Sequence, residues 1–178
     1  MINEEEVKKF AEPYYANKDI MHNMWHIELV KKQLDKILEL GGYKVDYDSL
    51  LTAMYFHGFI YSDEERIREW LKSQGCTNEE TEKIVKIAWE SQRTETPETL
   101  EGKILHDAHV LEGGKTYLVV KTLITGSVRG QSLKETLNYM EKNVLNTNKC
   151  CLPETISLCN EMTDFTEMFF RELVEGIR

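Results

Sequence analysis

Helical periodicity, interrupted by helix-capping signals, is the feature that most limits how this chain can fold. Apolar residues recur at intervals of three and four, as Ile27, Val30 and Leu34 do, and this spacing is typical of an amphipathic α-helix. No stretch has the regular alternation of apolar and polar residues that predicts a half-buried strand. The sequence therefore predicts an all-α fold, in the form of a single compact helical bundle.

The predicted helices follow from their start and stop signals. Asn3 caps the first, Gly41 and Gly42 end the second, and Thr77 with Glu80 forms a capping box for the fifth. The nine predicted spans are roughly 3–15, 19–40, 46 or 48 to 57, 62–73, 77–91, 96–113, 115–124, 133–144 and 153–174. Because the connections are short, we expect residues 1–178 to form one domain.

Charge and composition exclude several classes of partner. The formal net charge of -9 argues against a nucleic-acid polymer or an anionic membrane, since either would need a basic face. No apolar run approaches the length of a membrane span, and the first residues are acidic, so we expect a cytoplasmic protein. Four cysteines, without a CxxC pair, should then remain thiols: Cys76, Cys150, Cys151 and Cys159. The sequence assigns no role to Cys150 and Cys151.

The histidines are unusually concentrated. All five lie in three predicted helical segments: His22 and His26, then His57, then His106 and His109. Leu50, Met54 and His57 stand at i, i+4 and i+7, which places the His57 ring on an apolar stripe. A buried imidazole needs polar partners. The three segments are therefore expected to meet.

Asp107 adds a carboxylate to this set. Leu100, Ile104 and Leu111 share its helical stripe, so its side chain should be buried, where it needs a cation or several hydrogen-bond donors. Imidazole and carboxylate ligands together suit zinc, manganese, iron, cobalt or nickel. The same residues would also suit hydrogen-bonded core histidines and a solvated aspartate, so the pattern alone leaves both interpretations open.

Local sequence then resembles the HD superfamily of helical metal-dependent phosphohydrolases. HNMWHIELV resembles its HDxxHxxRV helix, TAMYFHGFIY its xAxxFHDIGY segment, and LEGKILHDAHVLEGG its LEAKIxxDADRLDAIG helix. The likeness covers residues 22–144, and residues 153–174 are similar to the C-terminal helix of the small stand-alone branch, which includes nucleotide pyrophosphohydrolases and nucleotidases. The resemblance implies that His26, His57 and Asp107 occupy three of four metal-ligand positions.

The fourth position departs from the family pattern. The namesake aspartate falls on Gly58, which has no side chain, and His109 stands where the second aspartate of DAD would be. Asp107 and His109 are about 200° apart around a helix, so His109 is expected to reach the ion only if the helix ends there. His22, one turn before His26, is predicted to be a fourth ligand, a partner of a ligand or a phosphate contact; packing against Tyr14 or Tyr15 is the alternative.

Two functions follow from the resemblance. The first is an HD-type phosphohydrolase acting on a nucleotide or similar phosphate ester, in which Glu64 or Glu65 positions or deprotonates the water. Three cations could meet substrate phosphate in that case, although each also suits a solvated surface: Lys83, Arg93 and Lys103. The second is a degenerate, non-catalytic module that binds a nucleotide or a protein partner. The expected ligand is a small phosphorylated molecule, and homo-oligomerisation stays open.

Overall fold

The computed structural model describes residues 2–92, 95–145 and 148–177, and this part of the chain forms nine α-helices without a strand. The helices are α1 (Glu4–Ala16), α2 (Met24–Gly41), α3 (Tyr47–Phe56), α4 (Ile60–Ser73), α5 (Asn78–Glu90), α6 (Leu100–Val110), α7 (Gly114–Val128), α8 (Leu133–Asn143) and α9 (Pro153–Gly176). The all-α prediction is confirmed.

Most helix starts follow the predicted capping signals. The Asn3 side chain accepts a hydrogen bond from Glu5 N at 2.9 Å, and that of Asp46 accepts one from Ser49 N at 3.1 Å. The predicted capping box of α5 is present as well. These local hydrogen bonds satisfy backbone donors at the helix starts, which explains why sequence patterns located them.

Three predicted starts are wrong. The second helix begins at Met24, because Asn23 caps it and accepts a hydrogen bond from Trp25 N. His22 therefore lies in the preceding turn. The fourth helix begins at Ile60, before the predicted cap, and bends at Asp63 (φ -133°, ψ 29°). The sixth begins only at Leu100, because the buried Glu90 carboxylate accepts the backbone N–H groups of residues 98 and 99.

Two apolar cores hold the helices together. The first lies among α1 to α6 and contains fully buried side chains such as Tyr15, Phe56 and Leu34. The second joins α7, α8 and α9 around Leu118 and Met140. The α6 helix contributes to both cores, because its middle faces the first and its C-terminal end faces the second. The histidine-bearing segments meet beside this helix.

None of the described helices combines the length and the apolar composition that crossing a membrane requires.

Candidate functional site

A cavity of about 280 Å³ opens between the two cores. His26, from the first turn of α2, lines it together with His57, which caps the C-terminal end of α3. His109, from the last turn of α6, completes the group. Three helix ends therefore bring one imidazole each to the same place, and we refer to His26, His57 and His109 as the histidine triad.

The rings of the histidine triad are in mutual reach. Nε2 of His26 lies 2.9 Å from Nε2 of His57. The ring centroids are 4.8 Å apart for His57 and His109, and 5.5 Å apart for His26 and His109. One nitrogen from each ring can be chosen so that all three lie within 4.8 Å of one another.

The outer nitrogen of each ring faces an oxygen atom. Nδ1 of His57 donates to the Met54 carbonyl at 2.6 Å, and Nδ1 of His109 donates to the Ser91 carbonyl at 3.2 Å. Nδ1 of His26 lies 2.6 Å from Oε1 of Glu112. Since carbonyl oxygens only accept, the partners of His57 and His109 assign the ring proton to Nδ1 and the lone pair to Nε2 in these two rings.

Nε2 of His26 and Nε2 of His57 face each other in a buried place, at a distance that a shared proton or a bound ion would bridge. Burial lowers the pKa of His57 from 6.5 to about 4, and burial together with the facing His57 ring lowers the pKa of His26 well below 6.5. The charged, doubly protonated form of either ring is therefore unfavourable at neutral pH. Ring nitrogens that converge while the opposite nitrogens face oxygen atoms are the arrangement found for histidine ligands of metal ions, so the residues fit a divalent ion.

A buried ion pair supports His26 from behind. Nζ of Lys121 lies 2.5 Å from Oε2 of Glu112 and 3.4 Å from Nδ1 of His26. Oε1 of Glu112 is close to the ring, without an aligned hydrogen bond from the described residues. Sequence analysis missed both charged residues, although a lone lysine in the apolar segment YLVVKTLI was a usable signal.

Asp107 is fully buried, as predicted, but lies apart from the histidine triad. Its carboxylate accepts hydrogen bonds from the backbone N–H groups of Cys151 and Leu152 at 2.9 Å and from the Thr155 hydroxyl at 2.6 Å. Nδ1 of His106 donates to it at 3.0 Å. The donors other than His106 lie at the N-terminus of α9, where a negative charge is favourable. The counter-charge of Asp107 is thus a helix end.

A second group of ligand-type side chains surrounds that aspartate: His106, Asp107 and Cys151. Both carboxylate oxygens already accept hydrogen bonds, and Nδ1 of His106 is used in one of them. Burial and the nearby carboxylate raise the pKa of the Cys151 thiol, which disfavours the thiolate that metal binding requires. The group is a hydrogen-bonded anchor for α9.

The structure places the predicted water-activating residues outside the cavity. Glu64 accepts hydrogen bonds from Nε of Arg68 at 2.6 Å and from Nε1 of Trp89 at 2.7 Å. With Glu65, it lines a separate depression on α4. Neither residue is among those that line the histidine cavity.

The predicted phosphate-binding residues are also dispersed. Lys83 pairs with Asp46 at 3.0 Å and with Glu101 at 3.5 Å. Lys103 lies on α6 and is not among the described residues that line the cavity. Arg93 lies outside the described residues.

His22 does line the cavity. Its ring centroid is 6.2 Å from that of His26, and its Nδ1 lies 2.8 Å from Oδ1 of Asp19. The carboxylate fixes the ring proton on Nδ1 and leaves Nε2 as the basic nitrogen. His22 and Asp19 therefore form a hydrogen-bonded pair beside the triad.

Two further cations belong to the cavity wall, although the whole chain is acidic. Nζ of Lys18 donates to the Gly58 carbonyl at 2.5 Å, and burial lowers its pKa. Arg129, at the end of α7, is exposed. Burial would raise the pKa of the Asp19 carboxyl, but the hydrogen bond from His22 and, to a smaller extent, the charge of Arg129 lower it. No Asp or Glu is among the described residues that line the cavity. The cavity is therefore suited to an anion.

No protein-family model matches the chain, and no curated protein matches it. Among solved structures, the fold is similar to that of Bacillus subtilis YpgQ in complex with ADP, with a TM-score of 0.77 and 16% identity over 98% of each chain. A second structure of B. subtilis YpgQ gives a TM-score of 0.74 at 16% identity, covering 99% of this chain and 98% of that one. The Lin1889 protein from Listeria innocua gives 0.70 at 21% identity, with the same coverage. These likenesses agree with the HD-type fold that the sequence resemblance implied.

Proposed function

We propose that the histidine triad binds one divalent metal ion and that the cavity is an HD-type phosphohydrolase site for a nucleotide or a similar phosphate ester. The observation that carries the proposal is the convergence of three ring nitrogens, while each Nδ1 faces an oxygen acceptor. In this assignment His109 takes the place that the sequence resemblance gave to Asp107.

The ligand types favour particular ions. Three neutral imidazoles suit zinc, cobalt and nickel better than manganese or magnesium, which prefer oxygen ligands. Three histidines with an open fourth position also form a known catalytic zinc arrangement. When bound, the ion would supply a Lewis acid for a phosphoryl oxygen and for water.

The charge of the cavity wall supports a phosphorylated ligand. Lys18 and Arg129 would offset phosphate charge next to the triad. YpgQ, whose fold this chain shares, was crystallised with ADP, and we extend nucleotide binding to this chain as part of the proposal. The volume of about 280 Å³ is near the lower end of small-molecule sites, so part of a nucleotide would extend through the opening.

His22 is the acid–base group in this proposal. It replaces Glu64 and Glu65, which lie at a different depression. Its pairing with Asp19 at 2.8 Å keeps Nε2 available to accept a proton from water. Burial and the nearby Lys121 lower the pKa of His22 below 6.5, so the ring would be neutral, and able to act as a base, at pH 7.

A second function is supported by one observation. Gly58 supplies no carboxylate, and no Asp or Glu is among the described residues that line the cavity. The same site would therefore also suit a module that binds a nucleotide without hydrolysing it. In both cases the proposed ligand is a nucleotide or a similar phosphate ester.

Turnover assays separate the two functions. Protein reconstituted with zinc, cobalt or nickel would be incubated with nucleoside mono-, di- and triphosphates, and products and binding measured in parallel. Product formation that is lost in His57→Ala and retained in Lys83→Ala supports the enzyme. Binding without product supports the module, and neither binding nor product would contradict both.

A further inference from the structure

The buried pair of Glu112 and Lys121 places two opposite charges beside one ring of the histidine triad. Nζ of Lys121 lies 2.5 Å from Oε2 of Glu112, and the two side chains are only 10% and 2% exposed. Oε1 of the same carboxylate lies 2.6 Å from Nδ1 of His26, and Nζ lies 3.4 Å from that nitrogen. The outer nitrogen of His26 is therefore next to a cation and an anion at once.

The two members of the pair differ in their access to the cavity. Lys121, on α7, lines the cavity, whereas Glu112, in the connection between α6 and α7, is not among the described residues that line it. The ammonium group also lies 6.0 Å from the centroid of the Tyr117 ring, one turn earlier on α7. The pair is thus oriented, with its positive member towards the place where a ligand would bind.

The two charges would act on a bound ion in opposite directions. A carboxylate that faces the outer nitrogen of a ligand histidine increases the basicity of the ring and strengthens its hold on the ion. An ammonium group at a similar distance repels the ion and cancels most of the field of the carboxylate. The pair as a whole therefore adds almost no net charge to the centre.

We propose that Lys121 is a positioning residue that holds Glu112 behind His26 and offsets its charge, so that the metal centre keeps its positive charge for an anionic substrate. Three neutral imidazoles leave the double charge of the ion unchanged. Without Lys121 the nearby carboxylate would cancel part of that charge, and the centre would hold zinc more tightly and phosphate less tightly. This inference rests on the proposed function, since it concerns the ion held by the histidine triad.

The test is the zinc affinity of Lys121→Met, Glu112→Gln and the double variant, because methionine keeps much of the length of the lysine stem without its charge. Lys121→Met should raise the affinity by about tenfold, whereas Glu112→Gln should lower it. A purely structural role of the pair predicts a different pattern, since losing either partner of a buried ion pair destabilises the site. Zinc affinity would then fall in both single variants.

The double variant keeps the test decisive if Lys121→Met folds poorly, because it leaves no buried charge without a partner. Removing the ammonium group from the Glu112→Gln protein takes away a cation that nothing offsets. The double variant should therefore bind zinc at least about tenfold more tightly than Glu112→Gln alone.

Binding of inorganic phosphate to the zinc-loaded proteins is the second readout. It should weaken by about tenfold in Lys121→Met and stay near the wild-type value in the double variant, in which the net charge of the pair is again zero. Equal weakening in both would identify Lys121 as a direct phosphate contact and would overturn its action through Glu112. Lys115→Met is the control, since Lys115 is exposed on the same helix and is not among the described residues that line the cavity. It should change neither affinity.

The outcomes separate this inference from the proposed function. An unchanged or lower zinc affinity on loss of Lys121, both in the wild-type protein and in Glu112→Gln, would overturn the role of Lys121 while wild-type zinc binding remained. Absence of zinc binding to the wild-type protein would overturn the metal site itself, and with it the role of Lys121.

Discussion

Oε1 of Glu112 lies 2.6 Å from Nδ1 of His26, and both side chains are buried, with no more than 4% of either exposed. The other carboxylate oxygen contacts Lys121, so the carboxylate connects a buried cation to one ring of the histidine triad. Such outer partners fix the orientation and basicity of a ligand histidine. Glu112 thus belongs to the site, although it is 86 residues from His26 in the chain.

Glu112→Gln should weaken metal binding without emptying the site. The amide preserves the shape of the side chain but removes the negative charge behind His26, so zinc affinity should fall by roughly 10- to 100-fold. Competition with a chromophoric chelator would measure this change. Glu101→Gln is the matched control, because Glu101 pairs with Lys83. Equal affinities of Glu112→Gln and the wild type would contradict this role.

Asp107→Ala should destabilise the fold. The substitution leaves the backbone N–H groups of Cys151 and Leu152 without their acceptor at the start of α9, and we expect the free energy of unfolding to fall by about 3 kcal/mol. Urea denaturation measures it. Asp164→Ala, at an exposed position on α9, is the control and should change stability by less than about 0.5 kcal/mol. A loss no larger than that of the control would refute the anchoring role.

Asp46 should contribute a pH-dependent increment of stability. Burial would raise the pKa of this carboxyl, but hydrogen bonds from Ser49 and Lys83 outweigh burial and lower it from 3.8 to about 2. A lowered pKa means that the stabilisation is complete above pH 3.8 and is lost as the pH falls through about 2. Because the side chain is 44% exposed, we expect less than about 1 kcal/mol.

The comparison that tests this increment is urea unfolding of the wild type and Asp46→Asn between pH 7 and pH 2. The asparagine can retain the oxygen that caps α3, but it loses the charge and the second oxygen, which accepts from Ser49 Oγ and Lys83 Nζ. The difference in unfolding free energy should be constant above pH 4 and should shrink below it. A difference that grows as the pH falls would contradict the lowered pKa.

Asp19→Asn should affect turnover more than binding. The carboxylate fixes the Nδ1 proton of His22, and its loss permits the tautomer in which Nε2 cannot accept a proton. His22→Gln should lower kcat by about 100-fold, and Asp19→Asn should also lower kcat. Metal content should remain that of the wild type in both variants. Unchanged kcat in His22→Gln would show that another group activates water.

The helices were largely predictable because their capping groups are local in sequence. Asn3, Asp46 and Thr77 satisfy nearby backbone donors, and each marks a helix start. The start of α6 was not predictable in this way, since Glu90 accepts the backbone donors that a helix beginning at residue 96 or 97 would have used. That interaction depends on how α5 packs against the following segment.

The site was only partly predictable, for a geometric reason. Sequence spacing correctly placed Asp107 and His109 on opposite sides of α6, but it could not determine which side faces His57. The rotation of α6 is determined by its packing in both apolar cores and by the donors at the start of α9. The contact between Tyr15 and Gly58 spans 43 residues and has no local signature.

The most direct test of the central claim is the metal content and zinc affinity of three proteins: wild type, His109→Ala and Asp107→Asn. Each would be purified without added metal, analysed by elemental mass spectrometry, and titrated with Zn²⁺ after its fold is checked by circular dichroism. We predict one ion per chain for the wild type and for Asp107→Asn, and loss of high-affinity binding in His109→Ala. Retention of binding in His109→Ala with loss in Asp107→Asn, or no binding by any of the three, would contradict a metal centre built on His26, His57 and His109.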